Sequence, residues 1–433
     1  MQNNFRRKFM RELFIPETKN PPAKVRDAGL IALVMEGGGV YNSKSGELIL
    51  LPIGRSTLNS IAEDLGEALL ETNGIQQIDC SDSDESVSSL AERYVRDHGE
   101  KALSWMLVSG RKLKLWGWAK DEEDAKMRAS SAADTIRSIM ERYIPDFDYL
   151  LEVSPGTVNR MVGVCRTGKG SLHEMEGLMC PGCETYFHRD SAYVYETEPV
   201  NSGCGMEDVR DVHTPGAHTI PLLCEQLGID PSQTLKAMLY TVISPGGKKS
   251  LLFAMIRGDK NISINKLAAY IDSKFRGAVF RKAESEEIVS SFGEVAGFCG
   301  PIGVPEGVHM VADRSLVGGK NFVVGGNRPD YHRTGCCWGR DFEPDTADLL
   351  LFEESMPCPE CGTPMVPVQL RKICTIECYG SEMRGESVLS CRDKDGERRW
   401  PYRWKAEVSL EALILSFYEK KEKRLRNEIF KDD

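Results

Sequence analysis

The sequence of 433 residues has no run of about 18 consecutive apolar residues, the length a helix needs to span a membrane. Its first residues, MQNNFRRKFMRELF, are rich in basic side chains but lack a following apolar stretch, so they do not predict a secretion signal. These two absences predict a cytoplasmic protein without a membrane partner.

The sequence also lacks an excess of positive charge. Its net charge is −10 at pH 7, which argues against sequence-independent binding to a phosphate backbone and predicts no DNA partner. Residues 213–345 contain 15 Lys and Arg and 14 Asp and Glu, a net charge of +1, so the remainder carries −11. Any contact with RNA is therefore expected in the middle segment.

Fourteen cysteines are scattered along the chain, which predicts thiols and metal ligands because no secretion signal accompanies them. Cys180 with Cys183, and Cys358 with Cys361, have the C-P-x-C spacing of zinc-binding knuckles. The two pairs bracket the middle segment and can meet where the chain enters and leaves it. We predict a structural zinc site, with four free thiols or a redox-active pair as the alternatives.

Hydrophobic periodicity and breaker residues predict the helices of the chain. The predicted helices cover 58–69, 125–143, 220–227, 265–275, 283–292 and a last helix around 410–418. The runs MLYTVI and LLFAMI, joined by SPGGKKS, predict a β-hairpin, and VHMVAD predicts a further strand. The middle segment is therefore predicted to be a compact mixed α/β domain.

Seven short motifs follow one another along this middle segment. They are HTPGAHTI at 213–220, TLKAMLY at 234–240, RGD at 257–259 with the following NKL, GFCGP at 297–301, ADR at 312–314, NFVVGGNRPDYH at 321–332 and WGRDF at 338–342. In this order they resemble the editing insertion of bacterial prolyl-tRNA synthetase, a class II enzyme. The resemblance implies a domain that hydrolyses a wrongly attached amino acid from tRNA.

Fainter similarity to the same family extends outside the middle segment. It lies in the stretches 19–42 and 50–65, in DFDYLLEVSPG at 146–156 and in GSLHEME at 170–176. The resemblance thus implies an α+β fold, in which a class II synthetase-like antiparallel sheet core contains an inserted mixed α/β editing domain. The implied domains are a first core part at 1–210, the editing domain at 211–349 and a second core part at 350–433, and class II cores imply a homodimer.

The core departs from the family where ATP would bind. No R-x-x-E-F type sequence, which holds the ATP α-phosphate in the second class II motif, occurs between positions 82 and 149. The best counterpart of the third motif is YRWKAEVSLEALI, with Lys405 and Glu407 at the glycines and Leu410 at the phosphate-binding Arg. Leucine has neither the charge nor the bidentate geometry of a guanidinium group. We therefore predict that the ligase reaction is lost, that no ATP is used, and that the anticodon-binding domain is absent.

The first candidate site residue is Lys236, which lies in an apolar, strand-like stretch. Unless it is a solvated strand lysine, the resemblance implies that it contacts the end of the tRNA and helps to place the ester. Gly297 and Pro301 end the family's Gly-x-x-x-Pro loop, and Cys299 and Gly300 lie inside it. Glycines allow close backbone approach and leave N–H groups for an oxyanion, whereas the alternative interpretation is an ordinary turn.

The remaining candidates are implied to bind the amino acid. His332 is implied to line its pocket, although an isolated histidine of this kind is more commonly a satisfied structural residue. Asp313 is implied to lie near the substrate amino group, with turn capping as the alternative. The resemblance also assigns Thr214 and Asn327 to substrate binding. No paired base for Cys299 as a nucleophile can be identified.

We predict an aminoacyl-tRNA deacylase that acts in trans on the acceptor end of tRNA(Pro) carrying alanine. Binding discriminates against a smaller side chain by only about 1–3 kcal/mol, which explains why a second, size-selective site exists. One alternative is a non-catalytic pseudo-synthetase that binds tRNA or an amino acid and regulates a partner. The other is a residual prolyl-tRNA ligase or amino-acid-activating enzyme, which would catalyse pyrophosphate exchange.

Overall fold

The computed structural model of the protein describes most of the chain. The described residues are 40–42, 48–50, 52–73, 75–78, 103–109, 112–119, 121–153, 157–167, 174–191, 198–293, 297–379, 391–392, 398–399, 402–429 and positions 87, 90 and 93. They fall into two compact units. Unit one takes the described residues of Met1–Glu152, Thr157–His188 and Val366–Asp433, and unit two takes those of Val153–Gly156 and Arg189–Met365.

Six α-helices and two 3₁₀ turns occur in the described residues. The helices are α1 (Pro52–Asn73), α2 (Glu122–Tyr143), α3 (Ile220–Leu227), α4 (Ile264–Phe275), α5 (Ser285–Phe292) and α6 (Leu410–Ile429). The 3₁₀ turns are Pro231–Gln233 and Arg314–Leu316. Each predicted helix is present, and α6 continues well past its predicted end into the charged C-terminal segment.

The strands complete the predicted α+β class. They are β1 (Val40–Asn42), β2 (Leu48–Leu50), β3 (Gln76–Gln77), β4 (Leu103–Ser109), β5 (Lys112–Ala119), β6 (Asp148–Glu152), β7 (Thr157–Arg166), β8 (Glu174–Met179), β9 (Tyr186–Phe187), β10 (Arg210–His213), β11 (Leu235–Ile243), β12 (Lys249–Arg257), β13 (Val279–Lys282), β14 (His309–Asp313), β15 (Phe322–Gly325), β16 (Tyr331–Cys336), β17 (Asp345–Ala347), β18 (Val366–Tyr379), β19 (Cys391–Arg392), β20 (Arg398–Arg399) and β21 (Tyr402–Ser409).

Unit one is built on a nine-stranded sheet. Its order is β3-β4-β5-β21-β18-β7-β6, with β8 also paired to β18 and β9 paired to β8. All pairs are antiparallel except β3 with β4. The helices α1, α2 and α6 pack against this sheet through one core, which contains the buried Leu65, Ile136 and Leu413 of the helices and Trp404 of β21. The apolar positions spaced three and four apart in the sequence are thus the buried face of α1.

Unit two contains a mixed sheet of five strands and an antiparallel sheet of three. The first has the order β13-β11-β12-β14-β17, with β11 and β12 forming the predicted hairpin and β14 parallel to both β12 and β17. The second has the order β10-β16-β15. A shared core with Phe253 from β12, Ala312 from β14 and Val324 from β15 joins the two sheets. Full burial of one such aromatic side chain contributes about 1.5–3 kcal/mol.

Candidate functional site

His332 is a buried histidine in the central strand of the three-stranded sheet. It lies opposite Val212 on β10 and opposite Gly325 on β15. Only 5% of its surface is exposed, and its Nδ1 atom lies 2.6 Å from Oγ1 of Thr214. Burial lowers the pKa of His332 to about 4, because the charged ring would lose its hydration. His332 is therefore a neutral imidazole at physiological pH.

The turn after β10 brings Thr214 to this histidine. The Thr214 N–H donates to the carbonyl oxygen of Asp330 at 2.8 Å, and the Gly216 N–H donates to Oδ1 of the same Asp330 at 2.8 Å. Two residues of the Thr-Pro-Gly turn are thus fixed to the residue that lies two positions before His332. Thr214 is fully buried, so its hydroxyl is held against the ring away from solvent.

The loop at 297–301 is held in place by the side chain of Asn327. Gly297 has φ +87°, a left-handed conformation that favours glycine. Asn327 Oδ1 accepts from the Gly300 N–H at 2.7 Å, and its Nδ2 donates to the carbonyl oxygens of Gly300 at 3.2 Å and Ile302 at 2.8 Å. The Gly300 N–H is therefore already hydrogen-bonded, and it can hold an oxyanion only if Asn327 gives way.

The same loop packs against β15 backbone to backbone. A Cβ atom added at Gly300 would lie 1.8 Å from the carbonyl oxygen of Gly325, and one added at Gly325 would lie 2.4 Å from the carbonyl oxygens of Phe298 and Cys299. The Phe298 ring meets the His332 ring at 5.5 Å between centroids, edge to face. The loop therefore contacts the histidine through Phe298, and glycine is required at both Gly300 and Gly325.

Lys236 lies near the start of β11 and is half-buried. Its Nζ atom donates to the carbonyl oxygen of Lys260 and to Oδ1 of Asn261, each at 2.8 Å. Burial lowers its pKa from the ordinary lysine value, and the carboxylates of Glu353 and Asp259 partly oppose that shift. The predicted lysine is thus a partly desolvated ammonium group with two fixed acceptors.

The strand β15 pairs with β16 and is also bridged to the residue just before β11. Thr234, two residues before Lys236, forms a parallel bridge with Val323. Val323 in turn lies two residues before Gly325, the residue opposite His332. The start of β11, which carries Lys236, and the strand β16, which carries His332, are therefore both neighbours of β15.

Asp313 is buried at the end of β14, and its carboxylate binds backbone groups. Its Oδ1 atom accepts from the Ser315 N–H at 2.9 Å, which caps the 3₁₀ turn Arg314–Leu316. Its Oδ2 atom accepts from the Leu349 N–H at 2.8 Å. The structure thus gives Asp313 the capping role named as the alternative, and contact with the substrate amino group stays a prediction.

Two interacting pairs of side chains in this domain were not predicted from the sequence. Asn261 and Glu353 are hydrogen-bonded to each other, with Asn261 Nδ2 donating to both carboxylate oxygens at 3.0 and 3.1 Å. Lys266, on α4, forms a buried ion pair with Asp348 at 2.9 Å. Burial lowers the pKa of Lys266 and raises that of Asp348. Spacing gives no signal for either pair, because the partners are distant in sequence.

Cys299 lies inside the loop, yet its chemistry does not fit a nucleophile. Burial raises the pKa of its thiol to about 11, so the thiol is protonated at neutral pH. The thiolate is the reactive form, and a catalytic cysteine needs a lowered pKa. Cys299 also packs against the core of unit two, which is consistent with a structural role.

The residues of this site lie within a stretch that matches a known domain family. Residues 214–342 match the family model of the aminoacyl-tRNA editing domain. The matched range begins at Thr214 and includes Lys236, the 297–301 loop, Asn327 and His332.

Related enzymes also match beyond that range. The proline–tRNA ligase of Kosmotoga olearia is 34% identical over 208 residues, which cover 46% of this chain and 34% of the ligase. The proline–tRNA ligase of Thermotoga maritima is 32% identical over 253 residues, covering 57% of this chain and 42% of the ligase. The chain is thus similar to prolyl-tRNA synthetases, and residues 214–342 match the editing domain. It matches well under half the length of these two ligases.

A solved structure resembles part of the chain. It is described as that of a candidate trans-editing enzyme for prolyl tRNA synthetase, with 17% identity and a TM-score of 0.28, covering 34% of this chain and 87% of that one. A score this low carries no weight for function.

Outside the editing domain, the two Cys-x-x-Cys pairs have the same local geometry. In each, the N–H of the first cysteine donates to the carbonyl oxygen five residues later, Cys180 to Thr185 and Cys358 to Thr363, both at 2.9 Å. The Sγ atom of the first cysteine accepts a backbone N–H, from Gly182 at 3.3 Å in the first pair. All four Sγ atoms, those of Cys180, Cys183, Cys358 and Cys361, lie within 4.8 Å of one another. This group could hold a metal ion.

The counterpart of the third class II motif in this synthetase-like chain is a strand followed by a helix. Lys405 and Glu407 lie on β21, and Leu410 is the first residue of α6. Leu410 is buried in the core of unit one. The stretch 19–39 and most of the interval 79–102, on which the other core comparisons depend, lie outside the described residues.

Hydropathy gives one more finding. In the part of the chain that the structure describes, no helix is both long and apolar enough to cross a membrane.

Proposed function

We propose that this chain hydrolyses the aminoacyl ester of mischarged proline tRNA in trans, with alanine as the preferred amino acid. The family match and the relatives support an aminoacyl-tRNA editing or synthetase-related function. The observation that carries the proposal is the buried, neutral His332, fixed by Thr214 at 2.6 Å and adjacent to the glycine loop. The resemblance supplies the choice of alanine and of tRNA(Pro).

The reaction is a hydrolysis that needs few catalytic groups. A water oxygen attacks the ester carbonyl carbon, the bond from that carbon to the ribose oxygen breaks, and the ribose oxygen takes a proton. The products are the free amino acid and tRNA with its terminal hydroxyl. Since the ester is already activated, positioning the water and stabilising the oxyanion supply most of the rate enhancement.

Each predicted residue has a role consistent with its surroundings. The ammonium of Lys236 has three N–H donors, and two are used by Lys260 and Asn261, which leaves one for the substrate. His332 is neutral, so it can bind the substrate by hydrogen bonding without adding charge. The proposed oxyanion donors are main-chain N–H groups of the 297–301 loop other than that of Gly300, which is bonded to Asn327, and Asn327 sets the shape of that loop.

We propose that the ligase reaction is absent. Leu410, at the position of the phosphate-binding arginine, is buried in the core of unit one and has no group that can bind an anion. The expected partner is therefore a charged tRNA rather than ATP. Homodimer formation and a cytoplasmic location stay predictions from the resemblance and the sequence.

We also propose that the four-cysteine group binds zinc as a structural ion. Tetrahedral zinc with Zn–S bonds of about 2.3 Å requires sulfur atoms about 3.8 Å apart, and the four Sγ atoms, within 4.8 Å of one another, fit this requirement after a small contraction. Backbone N–H groups that point at Sγ of Cys180 and Cys358 would stabilise the thiolates. Four protein ligands leave no open position, so the ion would serve stability rather than catalysis.

Deacylation of alanyl-tRNA(Pro) tests the proposal. We expect the wild-type protein to release alanine, and Lys236→Ala to lower the rate about 100-fold, the scale of losing one transition-state donor. The matched control is Lys320→Ala, since Lys320 is also half-buried and also donates to two carbonyl oxygens, those of Ser202 and Cys204. This control should keep the wild-type rate.

Two outcomes would overturn the proposal. Wild-type protein that binds alanyl-tRNA(Pro) without hydrolysing it would support the regulatory pseudo-synthetase instead. Pyrophosphate exchange with proline or another amino acid would support the residual ligase, because deacylation uses no ATP.

A further inference from the structure

The ammonium group of Lys236 is held by a network that includes a second charged residue. Lys236 Nζ donates to Oδ1 of Asn261 at 2.8 Å, and Nδ2 of Asn261 donates to both carboxylate oxygens of Glu353 at 3.0 and 3.1 Å. The carbonyl oxygen of Lys260 accepts from the same ammonium at 2.8 Å. Asn261 therefore links a cation and an anion that do not bond to each other directly.

The chemistry of the two partners fixes the orientation of the Asn261 amide. An ammonium group can only donate hydrogen bonds, and a carboxylate can only accept them. The amide oxygen must then face Lys236 and its NH₂ group must face Glu353, because a flipped amide would lose both contacts. By accepting from the NH₂ group of Asn261, Glu353 thus keeps the amide oxygen of Asn261 facing Lys236.

Backbone pairing brings Glu353 to this position. The Leu351 N–H donates to the carbonyl oxygen of Asn261 at 2.8 Å, and Ile262 bridges Leu350 in the antiparallel sense. Asp313 holds the start of the same segment through Leu349. The pairing uses main-chain atoms, so the segment that carries Glu353 does not depend on the Asn261 side chain.

The two carboxylates near Lys236, those of Asp259 and Glu353, differ in whether they are paired with another cation. Asp259 binds Arg257 through two hydrogen bonds, at 2.5 and 2.9 Å, and lies 3.4 Å from the ammonium of Lys260. Glu353, in contrast, is directed at the neutral amide of Asn261. It therefore acts on Lys236 through one intervening amide, and it leaves the third N–H of the ammonium for another ligand.

We infer that Asn261 and Glu353 are positioning residues, which fix the ammonium of Lys236 in the geometry that the editing reaction requires. This role depends on the proposed deacylase function. A lysine side chain has many rotamers, and two fixed acceptors select one of them before the substrate arrives. Glu353 also supports the charged state of Lys236, which burial disfavours.

Kinetics of the full-length protein with alanyl-tRNA(Pro) test the positioning role. We expect Asn261→Ala to lower kcat about 10- to 100-fold, as misplacement of a reacting group does, with little change in KM. The matched control is Asn265→Ala, because Asn265 is likewise exposed and its amide donates to a carboxylate, that of Asp190, at 2.6 Å. This control should keep the wild-type kcat.

A titration of Lys236 gives a readout that a purely structural role would not move. We expect Glu353→Gln to lower the pKa of Lys236, measured by NMR of its side-chain ¹³Cε and ¹⁵Nζ nuclei, because a favourable negative charge is lost. Asn261→Asp should raise that pKa, since it places a carboxylate beside the ammonium. Lys236→Arg assigns the signal, and circular dichroism checks that each variant is folded.

The two proposals fail in different ways. Wild-type protein without deacylase activity would reject the proposed function, and the titration would still test the network. An active wild type, with unchanged kcat in Asn261→Ala and unchanged Lys236 pKa in Glu353→Gln, would reject the positioning role alone.

Discussion

The Nδ1 atom of His332 lies 2.6 Å from the hydroxyl oxygen of Thr214, and both side chains are buried. Either atom can supply the hydrogen, depending on the tautomer of the ring, which is neutral because burial lowers its pKa. The hydroxyl therefore satisfies one ring nitrogen within the protein. The other nitrogen, Nε2, is the one that can serve a ligand.

Replacing the hydroxyl tests this pair. We expect Thr214→Val to lower the free energy of unfolding by about 1–3 kcal/mol, because it keeps the shape of the side chain but leaves a buried ring nitrogen unpaired. Thr214→Ser, which retains the hydroxyl, should be closer to the wild type in both stability and deacylation rate. Urea denaturation measures the difference, and equal stability of the Val and Ser variants would contradict this role of the hydroxyl.

Acid should destabilise the editing domain through His332. Its pKa is about 4 in the folded protein and near 6.5 in an unfolded chain, so the unfolded chain takes up this proton at the higher pH. The stability that neutral His332 contributes is complete above pH 6.5 and is lost as the pH falls towards 4. We expect His332→Gln to reduce the pH dependence in this window, measured by urea denaturation at a series of pH values.

Zinc binding predicts a measurable metal content. Purified protein should contain about one zinc ion per chain, the number that a four-cysteine site holds. Cys361→Ser should lower the zinc content and the Tm, because metal binding contributes to folding. Cys204→Ser is the control, since Cys204 is also exposed but is not one of the four grouped cysteines. Zinc-free protein with an unchanged Tm would exclude a structural zinc.

Local signals in the sequence predict most elements of unit two. For α3, the apolar pattern is followed by Gly228, whose left-handed φ of +64° ends the helix as expected for glycine at this position. The Pro-Gly-Gly turn between two apolar runs likewise predicts the β11–β12 hairpin. These features depend on residues close together in the chain, so a sequence pattern is enough to find them.

Local sequence patterns predict only part of the arrangement of the candidate site. The motifs include Thr214 and His332, which the structure places in contact. No local sequence pattern predicts the hydrogen-bond network around Lys236. Asn261 is 25 residues from Lys236, and Glu353 is 92 residues from Asn261, so their contacts depend on strand pairing across the domain. In a sequence, an aspartate at the end of a strand is compatible both with capping a turn and with binding a ligand. The structure shows that the carboxylate of Asp313 binds two backbone N–H groups.

The contact between Gly300 and Gly325 has a consequence for selectivity. Peptide groups meet there without any side chain between them, and neither glycine has room for a methyl group. Peptide groups cannot change rotamer, so this contact can be widened only by moving the backbone of the loop or of β15. If the proposed editing site includes this contact, an amino acid too large for the site would have to displace that backbone, and the contact would limit the size of the substrate.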